Sequence, residues 1–375
     1  MKNVLITGGA GFIGSHLSNK LVNLGYNVTV LDNLSTQIHG RKRDSFLYRS
    51  INNNVKFILG DVRKKSDLRK AIKNQAIIFH LAAETGTTQS MMEISKYTSV
   101  NTLGTANLLE ILLKENHSIK KIILASSRSV YGEGKYICKK DGIIFPDQRN
   151  KNHLDNGIFE HVCPLCNKKL IASSTDEKSK INPLSIYAIT KYQQEQLIFK
   201  AGDILDLPVV VLRYQNVYGP GQSLTNPYTG ILSVFSTRIL NHNNLEIYED
   251  GNESRDFVFI DDVINANILS LKEEANNHIF NVGSGNMITI NKVANVLKTL
   301  YNCSSEILIT GKYRLGDIRH NYADITKIKS ILGFYPSIDF QTGVAKFVDW
   351  VKTQNISKDK YQNSVRLLKE KGLIR

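Results

Sequence analysis

The chain has 375 residues, 42% of them hydrophobic, and carries a formal net charge of +14 at pH 7. That length buries a sizeable core in one large domain or two, and no apolar stretch is long enough to span a bilayer. The basic excess raises nucleic-acid binding, but the lysines are scattered and no arginine–aromatic block accompanies them, so that class is set aside. Four cysteines, three of them within residues 138–166, make no secreted disulfide framework, and a cytoplasmic protein is expected. The opening basic residue and apolar run imitate a secretory signal, yet the glycines that follow fit the first strand of a fold better.

Asn3–Thr7 reads as a short buried strand, and Gly8-Gly9-Ala10-Gly11-Phe12-Ile13-Gly14 follows before Ser15-His16-Leu17 opens a helix. Gly8, Gly11 and Gly14 give a G-x-x-G-x-x-G spacing, a close variant of the dinucleotide fingerprint. Missing side chains let the backbone approach a pyrophosphate, whose charge is favoured at the helix N-terminus. A second strand, Asn27 to Leu31, ends in Asp32. That carboxylate falls about 20 residues beyond the glycines, where it accepts hydrogen bonds from an adenosine ribose and repels a 2′-phosphate. NAD is favoured over NADP, with Arg41, Lys42 and Arg43 nearby pulling the other way.

Val55 to Leu59 is a third strand leading into Gly60-Asp61, and a polar helix runs from Ser66 to Lys73. Ala76 to Leu81 is a fourth strand, followed by a long helical stretch over Met92 to Lys114; Lys121 to Ala125 is a fifth, ending in Ser126-Ser127. Short apolar strands alternating with helices predict an α/β fold, a doubly wound parallel sheet of Rossmann type covered on both faces. From about Glu133 to Ile181 the rhythm breaks into an irregular insert that holds the three clustered cysteines.

The run Tyr187-Ala188-Ile189-Thr190-Lys191 speaks of chemistry. Four residues apart on a helix, the two side chains share a face. A phenol with a resting pKa of about 10 is a poor base, and a fixed ammonium beside it pulls that value down. Alone, such a pair is more often an ordinary exposed Tyr–Lys pair; here it follows a cofactor loop. After it come a strand, Val209 to Arg213, and looser elements with helices near Leu232–Asn241, Asp262–Lys272 and Ile290–Leu300, then a charged helix beyond Ser357. The expected organisation is a cofactor domain over 1–218 and a smaller mixed α/β substrate domain over 219–375, some segments of which return to the first.

In the insert, Cys138-Lys139-Lys140-Asp141-Gly142 and Cys163-Pro164-Leu165-Cys166-Asn167 resemble two knuckles of a zinc ribbon, with Asp where a fourth Cys or His is usual. Three thiolates plus Asp141, His153 or His161 complete a tetrahedral structural site; free cysteines or a redox Cys-x-x-Cys are the other readings.

Taken together, these residues resemble the extended short-chain dehydrogenase/reductase family, specifically its nucleotide-sugar epimerases and dehydratases, from Asn3 to about Lys352. The resemblance implies that Gly8, Gly11, Phe12, Ile13 and Gly14 hold NAD, with Asp32, Asn33, Asp61 and Val62 at the adenosine. His80-Leu81-Ala82-Ala83 matches the family's H-x-A-A strand end, and Asn101 its helix asparagine. Ser127, Tyr187 and Lys191 match the catalytic residues. Asn216 in the segment Arg213 to Pro220 matches a sugar-nucleotide contact; Arg255 and Arg314 match diphosphate clamps, with Arg319 a further candidate. A nucleotide-diphosphate sugar as substrate gives the basic surface a task, and a homodimer through the helices around Met92–Lys114 and Ser185–Gly202 is implied.

Members resembling 4,6-dehydratases carry Thr-Asp-Glu where this chain has Ser127-Arg128-Ser129, so the acid and base for water elimination are missing. Thr175-Asp176-Glu177 occurs in the insert instead and is expected to be solvated loop. C4 epimerisation through a keto sugar is the leading expectation; net dehydrogenation, dehydration or a non-catalytic NAD-binding sensor are the alternatives. The runs Gly86 to Met91, Ser126 to Gly134 and Asn226 to Gly230, with the cysteine insert, are similar to the dTDP-L-rhamnose 4-epimerase group.

Overall fold

A computed structural model describes residues 2–40, 45–224, 226, 230–355 and 359–375. Arg41, Lys42 and Arg43, and most of the stretch from Asn226 to Gly230, lie outside the described residues.

Seven parallel strands form the main sheet, in the order His278–Val282, Val209–Tyr214, Lys121–Ser127, Ile77–His80, Asn3–Thr7, Asn27–Asp32 and Lys56–Leu59. The continuous apolar runs follow from burial on both faces. Val4, Ile6, Val30, Phe79 and Ile123 pack into one core, while Leu5, Leu31, Ile78, Ile122 and Leu124 pack into another across the sheet. The first core runs on into the second lobe through Phe257, Phe259, Val293 and Phe347, so the two lobes share apolar packing. His278–Val282 is the segment of the C-terminal half that returns to the sheet edge, in register with Val209–Tyr214.

The second lobe is built of small sheets. Asn216–Tyr218 pairs in parallel with Phe257–Phe259, and Ser254–Arg255 lies between Ile288–Thr289 and His320–Asn321. Among the described residues no helix is long and apolar enough to cross a membrane.

Three expectations change on folding. The stretch from Met92 to Lys114 is not one helix: a wider π-type turn, Thr98–Leu103, separates Ile94–Tyr97 from Gly104–Lys114. The insert is ordered, with an antiparallel sheet of Tyr136–Cys138, Gly142–Ile144 and Ile171–Ala172 and a helix Lys151–Asp155. Thr175-Asp176-Glu177 is no solvated loop: Thr175 is buried and bridges to Ala323, and the Glu177 carboxylate accepts the Asn281 N–H at 2.8 Å. Backbone pairing and side-chain caps, neither visible as hydrophobic periodicity, order these segments.

Candidate active site

The glycine loop closes tightly because no side chain intervenes. A Cβ on Gly14 would stand 2.5 Å from the Gly8 carbonyl oxygen, and one on Gly8 2.7 Å from the Ala82 backbone. Gly8 itself has φ +69°, where glycine is favoured. Helix Phe12–Asn23 starts directly behind the loop, with Gly11 at its N-cap and no capping side chain, so its first N–H groups face the cavity end. Asp32 ends its strand with Oδ2 accepting Ala10 N–H at 3.0 Å and Oδ1 accepting Leu34 N–H at 2.8 Å. Burial pushes its pKa up against those bonds and the nearby His39. Asp61 is charged at neutral pH: burial opposes the ionised form, but Arg63 and Asn33 outweigh it and hold the value at about 2.

A cavity of about 450 Å³ joins this loop to the strand ends. Gly8, Gly11, Phe12, Ile13, Gly14, Asp32, Asn33, Asp61, Val62, Leu81, Ala82 and Ala83 line one part; Ser127, Tyr187, Lys191 and Asn216 line the other. The cradle that any Cβ would fill, the helix end and the Asp32 carboxylate fit a dinucleotide.

Ser127 ends the strand Lys121–Ser127 and caps the following turn by accepting the Ser129 N–H at 3.2 Å. Tyr187 and Lys191 sit in the first turns of helix Ile186–Leu205, which Ser185 caps by accepting the Ala188 N–H at 3.1 Å. Tyr187 N–H also donates to Ser90 Oγ at 3.0 Å. The Lys191 ammonium donates to the Ala125 carbonyl at 2.8 Å, tying helix to strand two residues before Ser127. Burial lowers the Lys191 pKa to about 7, against the charge of Glu195. For Tyr187 burial raises the phenol pKa, and a hydrogen bond with Ser127 and the charge of Arg128 work against that rise. Arg128 is thus a second cation at the phenol, beside the Lys191 that the helix spacing points to.

The sequence presents Arg128 only as the loss of a carboxylate, yet it lines the cavity. Its Nε donates to Asn216 Oδ1 at 3.2 Å, and burial beside Arg255 lowers its pKa to about 9. A charged residue immediately after the strand-end serine is the signal that could have found it.

Four site candidates fall outside the residues that line this cavity. Asn101 is fully buried in the π-type turn and off the cavity wall; its amide bonds Glu84 N–H, Glu84 C=O and Thr190 Oγ1, bracing the wall instead. Arg319 is fully buried and satisfied by protein acids, with Glu160 at 2.7 Å, Glu249 at 2.8 Å and Asp250 at 2.7 Å, so it has nothing to offer a diphosphate. Arg255 spends its guanidinium on the carbonyls of Ser254, Arg319 and Ile318. Arg314 stacks over Tyr248 and pairs with Asp317 at 3.9 Å; neither Arg255 nor Arg314 lines the cavity.

Away from the cavity, Cys138, Asp141, Cys163 and Cys166 come together, with one ligand atom of each within 4.8 Å of the others. His161 does not join them: it faces Glu133 at 3.1 Å, and His153 sits in the helix Lys151–Asp155.

A family model described as the NAD dependent epimerase/dehydratase family matches residues 4–149 and 162–283, the gap falling within the insert. A dTDP-L-rhamnose 4-epimerase of Burkholderia thailandensis is 36% identical over 354 residues, covering 93% of this chain and 95% of the relative. The crystal structure of UDP-glucose 4-epimerase from Thermotoga maritima with UDP-glucose is 30% identical with a TM-score of 0.76, covering 93% of this chain and 98% of that one. The crystal structure of UDP-glucuronic acid 4-epimerase from Bacillus cereus, in complex with UDP-glucuronic acid and NAD, is 26% identical with a TM-score of 0.76, covering 93% of this chain and 99% of that one.

Proposed function

The chain belongs to the NAD-dependent epimerase/dehydratase family, and from that premise we propose that it is an NAD-dependent nucleotide-sugar epimerase, inverting C4 of an NDP-hexose through a transient keto sugar. The observation that carries this reading is the meeting of Ser127, Tyr187 and Lys191 on the cavity that the glycine loop also lines, with no carboxylate among Ser127, Arg128 and Ser129.

NAD, held by the glycine loop, Asp32, Asn33, Asp61, Val62 and the Leu81–Ala83 wall, would supply reversible uptake of the C4 hydride, whose return to the other face of the keto sugar leaves the reaction redox-neutral. The phenolate of Tyr187 takes the proton of the sugar hydroxyl and later returns it to the inverted alcohol. Ser127 bonds the same oxygen and relays the proton. Lys191 holds the helix against Ala125, and Arg128 stabilises the phenolate. Asn216 and Arg128, hydrogen-bonded to each other on the same part of the cavity, face the sugar nucleotide. The Burkholderia relative makes dTDP-L-rhamnose the first substrate to try.

Two further readings accompany it. The helices Gly104–Lys114 and Ile186–Leu205 leave Leu113, Ile189 and Ile204 exposed, which suits a homodimer through that face. The cysteine cluster stands apart from the cavity lining, so a zinc there is structural and takes no part in hydride transfer.

The test is an NMR screen of dTDP- and UDP-hexoses in deuterated water. The expected result is a changed coupling of the C4 proton with no build-up of reduced nicotinamide. Tyr187→Phe should retain NAD and lose turnover. Retained turnover in that variant overturns the assignment, and steady accumulation of reduced nicotinamide replaces it with a dehydrogenase.

A further inference from the structure

We propose that Cys138, Asp141, Cys163 and Cys166 form a tetrahedral metal site of zinc type, built from two matched hairpin turns, and that its metal staples the insert onto the Ile318–Arg319 segment behind the sugar-binding wall. The inference deepens the structural-zinc reading, and its test measures metal and backbone motion rather than turnover.

The ligand atoms already stand at the corners of a small polyhedron. Asp141 Oδ2 lies 3.2 Å from Cys138 Sγ and 3.1 Å from Cys163 Sγ, and Cys138 Sγ lies 3.4 Å from Cys166 Sγ. Tetrahedral zinc with Zn–S of about 2.3 Å and Zn–O of about 2.0–2.2 Å has edges of roughly 3.5–3.8 Å, so a metal fits after a shift of a few tenths of an ångström. A disulfide needs sulfurs about 2.05 Å apart, and all the cysteines are free.

The two halves of the site repeat one device. Cys138 pairs across its hairpin with Gly142, and Cys163 N–H donates to the Lys168 carbonyl at 2.8 Å within the bridge Val162–Lys169. In each turn the second ligand follows the first by three residues. The residue after it is left-handed: Gly142 at φ +78° and Asn167 at φ +56°. Three thiolates and a carboxylate around a dication leave a net charge of −2. The two turns carry Lys139, Lys140, Lys168 and Lys169 to meet it. On binding, the three thiols release their protons to solvent.

Burial alone gives this sheet little to fold on. Its core is Tyr136, Cys138, Cys163 and Leu170, while Ile137, Ile143, Leu165 and Ile171 are exposed. A unit this small needs a staple. The payload of the staple lies just before the second turn. Glu160 accepts Arg319 Nε at 2.9 Å and Nη2 at 2.7 Å; His161 faces Glu133, whose Oε2 also accepts the Arg319 N–H at 2.7 Å. The carbonyls of Ile318 and Arg319 in turn hold Arg255 beside Arg128.

The experiment uses the full chain purified without chelator. Elemental analysis should find about one zinc per chain, falling below about a fifth in Cys163→Ser, while Asp141→Cys, which completes a four-thiolate site, keeps the metal and releases it more slowly to a chromogenic chelator. Removing the metal should speed hydrogen exchange across residues 136–172 and at 318–320 without altering the strand Lys121–Ser127. Less than about a tenth of an equivalent of any transition metal in the wild type, with four titratable thiols or a Cys163–Cys166 disulfide, overturns the site. Iron in place of zinc overturns the metal assignment. Metal loss that leaves exchange at 318–320 unchanged overturns the staple.

Discussion

Glu195 stands one helical turn beyond Lys191, and its carboxylate takes Arg213 Nε at 3.0 Å, Arg213 Nη2 at 2.6 Å and Ser126 Oγ at 2.5 Å. Both partners of this ion pair are buried. The helix that presents Tyr187 and Lys191 is therefore pinned to two sheet strands by a charge pair directly below the site. Glu195→Gln leaves Arg213 buried without its counter-charge, which costs about 3–5 kcal/mol for a pair of this kind. It also removes the charge that supports the Lys191 ammonium against burial. The expected result is a lower Tm in the variant and partial recovery in Glu195→Gln/Arg213→Met. A double variant no more stable than the single one would contradict the pairing.

Gly14→Val tests the cofactor cradle. The added Cβ meets the Gly8 carbonyl at 2.5 Å and the Gly9 backbone at 2.6 Å, and backbone cannot swing away as a side chain does. The loop must open, and the N–H groups that face the pyrophosphate move with it. Protein purified with this change should carry no NAD by absorbance after denaturation. A normal NAD content would show that the loop does not hold the dinucleotide.

Arg128→Met separates substrate binding from cofactor binding. The guanidinium lines the cavity with a side-chain amide, Asn216, as its hydrogen-bond acceptor, and it opposes the burial-driven rise of the Tyr187 pKa. The variant should keep NAD, raise KM for the nucleotide sugar by about tenfold, equivalent to about 1.4 kcal/mol, and shift the alkaline-side dependence of kcat to higher pH as the phenolate becomes harder to form. Arg128→Lys should restore the pH profile more than KM, because charge returns without the planar fork. An unchanged KM in Arg128→Met removes this residue from the substrate wall.

The sheet and the cofactor loop are legible in the sequence because their signals are local. Asn3–Thr7 is a run of apolar residues next to glycines, and Ser127, Tyr187 and Lys191 sit at fixed places relative to a strand end and a helix start. What eludes the sequence depends on distant partners. Arg319 resembles a phosphate ligand until Glu160, Glu249 and Asp250, far apart in the chain, are seen around it. Thr175-Asp176-Glu177 looks like solvated loop until Ala323 and Asn281 arrive to pair with it. Asp141 stands level with His153 and His161 as a fourth ligand on spacing alone, and hairpin geometry brings Asp141 to the thiols while Glu133 takes His161.

The acids around Arg319 give the pH dependence of stability a sign. In Glu160 and Asp250 burial opposes ionisation but hydrogen bonds outweigh it, from His320 and then Arg319 in Glu160 and chiefly from Arg319 in Asp250, holding both at a pKa of about 2 against ordinary values of 4.5 and 3.8. A carboxylate with a depressed folded-state pKa contributes stability above its unfolded pKa and loses it as pH falls through the folded value. These two groups therefore weaken the fold from about pH 4.5 downward to pH 2. Glu253 acts oppositely: burial, with Glu249 nearby, raises its pKa to about 7, so folding favours its protonated form and stability rises as pH falls from 7 toward 4.5. The combined effect places the maximum stability of this cluster near pH 5. Thermal melts from pH 8 to pH 2.5 should show that maximum in the wild type. In Arg319→Met the melts should be lower at pH 7, because the clustered carboxylates of Glu160, Glu249 and Asp250 lose their shared counter-charge, and should rise rather than fall between pH 5 and pH 3 as carboxylates of the cluster take up protons. Contributions common to both proteins cancel in the comparison, so parallel acid limbs would mean that Arg319 does not set the acid sensitivity of the fold.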